Sequence, residues 1–69
     1  MTYVEMRHSG ISHDIKTEME IIPRIGDIID YTYEQDHHLF KVEKVIHIYE
    51  NGTFDKVYIS GKQIDDWLG

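Results

Sequence analysis

Sixty-nine residues, no cysteine and a formal net charge of −6 exclude much before any element is placed. A chain of this length makes one domain, 1–69, and buries only roughly 60% of the surface its unfolded form exposes. Without cysteine it has no disulfide or thiolate–zinc site to reinforce that core. A closed ligand pocket of roughly 300 Å³ would consume most of it, which argues against an enzyme. Thirteen acids against seven Lys and Arg argue against a phosphate-backbone partner, which needs a basic face.

Period-two alternation, rich in β-branched and aromatic residues, predicts strands along most of the chain. Over 2–8, "TYVEMRH" places Val4, Met6 and His8 on one face against Tyr3, Glu5 and Arg7. "HSGIS" follows as a turn. "DIKTEMEI" then sets Ile15, Thr17, Met19 and Ile21 against Lys16, Glu18 and Glu20, so one face packs and the other meets water.

Pro23, the single proline, has no amide hydrogen and is unsuited to a central ladder. With Gly26 and Asp27 behind it, "IIPRIGDIID" reads as strand, sharp redirection, strand, with Ile25 tucked beneath the turn and largely buried. "DIIDYTY" gives Ile29, Tyr31 and Tyr33 against Ile28, Asp30 and Thr32, and "EQDH" is a hairpin turn. Over 38–50, Phe40, Val42, Ile46 and Ile48 share the even face, but Lys44 interrupts it while Val45 sits opposite. Either Lys44 lies at an exposed end, or a bulge near Glu43–Lys44 shifts the phase. Asn51-Gly52 is a strong type I′ hairpin signal. It leads into a strand over 53–60, with Val57 and Ile59 facing one way and Phe54 and Tyr58 the other. In "GKQIDDWLG", Ile64, Trp67 and Leu68 stand at helical spacing and predict one short helical turn, with Trp67 capping the core. The sum is an all-β fold: a small five-stranded antiparallel barrel with a short C-terminal helical turn, against the alternative of an open five-stranded meander.

"RIGDIIDY", followed by hairpin, strand, hairpin, strand and short helical turn, resembles the diverging-turn region of Src-homology-3-like (SH3-like) barrels. The resemblance covers roughly 21–68 and implies an SH3-like barrel. It does not imply binding of proline-rich peptides. His37, His38 and Leu39 stand where the binding members carry tryptophan, and "GKQIDDW" replaces their late Pro-x-x-Tyr. The layout is also similar to small uncharacterised proteins of bacteriophages and mobile elements that carry an apolar-Pro-Arg-apolar-Gly-Asp/Glu segment, a resemblance with no known activity attached.

Residues that carry chemistry are sparse. The five histidines have no metal-ligand spacing, and His37 and His38, being adjacent in a strand, point to opposite sides. They read as surface and turn residues. Ser9, Ser12 and Ser60 lack a nucleophile context, and no cofactor is expected. The aromatic set is the stronger lead, because tyrosine offers stiff contact area with a polar tip. Tyr31, Tyr33, Tyr49, Phe54 and Tyr58, with Glu34, Asp36 and Glu50, form the candidate protein-docking face. Apolar runs fall short of the ~20 residues of a membrane span, and "MTYVEMRHSG" lacks signal-peptide character, so a cytoplasmic protein is expected. The function predicted is a small acidic non-enzymatic interaction module acting on a larger protein, such as a phage- or mobile-element-encoded inhibitor of a host protein. It is expected to bind no nucleic acid or membrane, and an exposed edge strand offers a route to a homodimer. The alternative is a small-ligand or nucleotide-binding module with its site between two copies.

Overall fold

The computed structural model describes residues 1–66. Five strands, β1 (Thr2–His8), β2 (Ile15–Met19), β3 (Ile28–Tyr33), β4 (Asp36–Glu50) and β5 (Thr53–Gln63), form one sheet in the order β2-β1-β5-β4-β3. The sheet curls into a half-barrel that stays open between β2 and β3.

Alternation accounts for the core. Val4 and Met6 of β1, Ile15 of β2, Phe40 and Val42 of β4, and Val57 and Ile59 of β5 are buried on the inner face. Ile11, Met19, Ile22, Ile29, Tyr31 and Val45 pack around them. Each fully buried aliphatic or aromatic side chain contributes about 1.5–3 kcal/mol, so a core of this size leaves little margin for loss. Ile21, expected on the inner face, is 83% exposed, because β2 ends at Met19.

The sheet is mixed rather than purely antiparallel, which corrects the expected barrel. β1 pairs β2 antiparallel but β5 parallel, with Val4 opposite Val57 and Met6 opposite Ile59. The cause is parity. Each connection reverses the chain, so the four reversals from β1 to β5 return it to its starting direction, and the strands then meet side by side. Alternation reports which face a side chain occupies and is blind to pairing direction.

The expected C-terminal helical turn is not found over the described residues 61–66. Gly61–Gln63 continue β5, and the Ile64 amide donates to the Leu39 carbonyl at 3.0 Å, extending the ladder. No helix occurs among the described residues, and Trp67 and Leu68, on which the helical spacing rested, lie outside them. Cross-strand pairing satisfies amides that a single helical turn would leave orphaned.

Two bulges bend the long β4–β5 ribbon. Val42 faces Gly61 while Lys44 faces Ser60, so Glu43 is the extra residue, and the phase change turns Val45 towards the core. Of the two readings of Lys44, the bulge is the one found. At Gly61 the backbone passes so close to the Phe40 ring and the Lys41 carbonyl that an added Cβ would collide with both. A second bulge lies between Ile48/Lys56 and Tyr49/Phe54, with Asp55 as the extra residue.

The proline segment is a corner, as expected, but Ile25 is not beneath it. The Arg24 amide donates to Asp27 Oδ2 at 2.8 Å and the Asp27 amide returns to the Arg24 carbonyl at 3.0 Å. The turn is pinned to β4 by Gly26 N–H to Val42 O and Val42 N–H to Asp27 O, both 2.8 Å. Gly26 has φ +96°, as the third position of a type II turn requires. Ile25 therefore occupies the tip and is 70% exposed.

Candidate functional site

His8 is the one buried polar residue among the described residues, 3% exposed on the same face as Val4 and Met6. Its ring stacks on Phe40 with centroids 4.7 Å apart and lies 5.5 Å from His38, which in turn stacks on Tyr31 at 5.0 Å. The Gly10 amide donates to Nδ1 at 3.2 Å, and Nε2 lies 2.6 Å from the Tyr31 hydroxyl. An amide can only donate, so Nδ1 is the acceptor and the neutral ring carries its proton on Nε2, directed at Tyr31. Burial, and secondarily His38, lowers the His8 pKa from its ordinary value; burial raises that of Tyr31. The expectation of surface and turn histidines fails at this residue. The signal was present in the sequence, since His8 occupies an apolar position in a clean alternation. His37, by contrast, is exposed and bonds the Asp30 carboxylate across the β3–β4 pair.

The residues of the predicted docking face fall into two groups at opposite ends of the 15-residue β4. Tyr31, Tyr33, Glu34 and Asp36 stand at the β3–β4 hairpin; Tyr49, Glu50, Phe54 and Tyr58 stand towards the β4–β5 hairpin. Tyr31 is half-buried and engaged with His8. Tyr33 meets the ring of His13 at 5.9 Å, across the opening of the half-barrel.

At the far end, Tyr49 and Phe54 are register partners with rings 5.5 Å apart in an edge-on arrangement, and are 63% and 40% exposed. Alternation after the Glu43 bulge sets the side of Tyr49, and the Asp55 bulge brings Phe54 to the same side. Tyr58 pairs with Ile46 on the outer face, whereas Phe54 follows Tyr49 onto the face that carries Val45 and His47. Phe54 and Tyr58, expected together, are thus separated. On that inner side an open cleft of about 500 Å³ is lined by Ile22, Pro23, Arg24, Ile25, Val45 and His47. Sequence reasoning missed this cleft because it assigned Ile25 to the core.

Among the described residues, no group of three His, Asp or Glu side chains converges as a metal ion requires, and no helix is long and apolar enough to cross a membrane. Comparison with known proteins finds no match: no family model, no curated protein and no solved structure aligns significantly with the chain.

Proposed function

We propose that this chain is a small, acidic, non-enzymatic interaction module that docks on a larger protein, of the kind a phage or mobile element uses to inhibit a host protein. The observation that carries the reading is the exposed apolar surface on one side of the β4–β5 ribbon. There Tyr49 and Phe54 stand unburied on the face that continues through His47 and Val45 to the Ile22–Ile25 cleft. Contiguous exposed apolar surface rimmed by charge is what protein partners cover, and aromatic side chains supply most of the binding energy at such sites. Glu50 and Asp55, beside the aromatic pair, together with the net charge of −6, favour a partner with a basic rim. We further propose kinship with SH3-like barrels, supported by the curled five-stranded sheet and the Arg24–Asp27 turn before β3.

Affinity capture from a bacterial lysate tests the reading, with wild type set against a Tyr49→Ala/Phe54→Ala variant. A partner enriched by wild type and lost with the variant supports it. Equal recovery by both, or no enrichment above control, removes it.

A further inference from the structure

The opening of the half-barrel, between the start of β2 and the end of β3, forms a cleft of about 220 Å³ at the opposite end of β4 from the Tyr49–Phe54 pair. Buried Ile15 and half-buried His38 line its interior, and the rings of His13 and Tyr33 stand 5.9 Å apart. Glu34 and Asp36, both exposed, line the same cleft, and no Lys or Arg does. Arg7, which precedes the 10–13 loop, is held by the Ser12 carbonyl at 2.8 Å and by Asp14 at 3.8 Å.

We propose that this seam cleft accepts the guanidinium group of an arginine side chain presented in a peptide. Three features select that group together: a cavity of side-chain size, rings at its wall, and carboxylates with no Lys or Arg beside them. The other basic groups there are only the imidazoles of His13 and His38, and an imidazole is neutral above its ordinary range. A guanidinium is planar and weakly hydrated, so it stacks on ring faces, and its fork of N–H donors matches a carboxylate. A lysine ammonium is compact and strongly hydrated and gains less from the rings. An anion is repelled by Glu34 and Asp36. A metal ion is disfavoured because the candidate ligands do not converge. The half-barrel explains why the cavity exists: a closed β2–β3 pair would fill it with backbone.

The test is an amide-resolved NMR titration of the full chain with acetyl-Gly-Arg-Gly-amide, beside its citrulline and lysine counterparts. The arginine peptide is expected to bind with a Kd on the order of 1 mM, as suits a single side chain. Shifts should concentrate at Gly10, Ser12, His13 and Tyr33. Citrulline has the shape without the charge and should produce none, and lysine should bind several-fold more weakly. A folded Glu34→Gln/Asp36→Asn variant should weaken arginine binding by about tenfold; both positions are exposed, and its amide spectrum reports whether it folds. Equal shifts with citrulline, equal affinity for lysine, shifts scattered over all acidic positions, or an unchanged affinity in the double variant would each overturn the assignment. The outcome is separable from that of the proposed function. If the arginine peptide fails while capture through Tyr49 and Phe54 persists, the cleft assignment alone falls. If the peptide binds and no protein is captured, the interaction reading falls and the cleft stands.

Discussion

His8 and Tyr31, 23 residues apart in sequence, bring Nε2 and the phenol oxygen to within 2.6 Å inside the half-barrel. The Gly10 amide on the other ring nitrogen holds the imidazole in its neutral form. Protonation would set a second N–H against that amide in a buried site, where charge is poorly solvated.

Stability is therefore expected to depend on pH through this residue. The folded pKa of His8 lies below its ordinary value of 6.5 because of burial and the neighbouring His38. Between the folded pKa and 6.5 the unfolded chain binds more protons, so stability is complete above that window and declines as the pH falls through the folded pKa. Urea unfolding of wild type and His8→Phe at several pH values between 8 and 5 measures it. The wild-type curve should fall more steeply on acidification. Parallel curves would show that His8 does not titrate as described.

Gly61→Ala should destabilise the protein by about 3 kcal/mol, the upper range for forced overpacking. The new methyl group would meet the Phe40 ring and the Lys41 carbonyl, and a strand carbonyl held in its ladder yields little. Chemical denaturation reads the change. A loss under about 0.5 kcal/mol, the range of an ordinary surface substitution, would place Gly61 in open space.

The β3–β4 hairpin turns on Glu34 and Gln35, with φ of 49° and 73°. Neither is a residue for which positive φ is cheap, and the left-handed region costs non-glycine residues roughly 1–2 kcal/mol. Gln35→Gly is therefore expected to raise stability by about 1 kcal/mol, after allowance for the added freedom of the unfolded chain. A rise in the midpoint of thermal unfolding is the expected result, and a fall would mean that the Gln35 side chain contributes more than its backbone costs.

Ile25→Ser is expected to change stability by less than about 0.5 kcal/mol, because Ile25 stands at the tip of the Arg24–Asp27 turn, 70% exposed. A core isoleucine truncated this far would cost about 2–5 kcal/mol. The same denaturation experiment thus distinguishes a surface position from a buried one, and the surface position agrees with a role in binding.

Much of the fold was legible because alternation is a local property. Spacing alone groups Val4 with Met6 and Val57 with Ile59 on one face of their strands, and puts Ile15 on the packing face of its own; all five are buried. The Asn51-Gly52 turn was legible from the need for positive φ, and both residues have it, at 53° and 80°. Lys44 marked the Glu43 bulge through a break in phase. The candidate site was less legible. Its eight residues were expected as one face, yet the length of β4 and the bulge at Asp55 divide them.

Sequence by itself determined the five strand segments, the Asn51-Gly52 turn and most of the buried apolar side chains, because each depends on neighbours one to four positions away. Tertiary structure decided the rest. That β1 meets β5 in parallel follows from counting chain reversals and from which edges remain free, and no local pattern encodes it. That Gly61–Gln63 extend a strand where the spacing of Ile64, Trp67 and Leu68 pointed to a helix follows from a partner ladder roughly twenty residues away along the chain, whose Leu39 carbonyl takes the Ile64 amide. That Ile25 is exposed and His8 buried follows from which strands meet: the Arg24–Asp27 turn is bonded to Val42 with Ile25 at its open tip, while His8 is enclosed by Phe40, Tyr31 and His38.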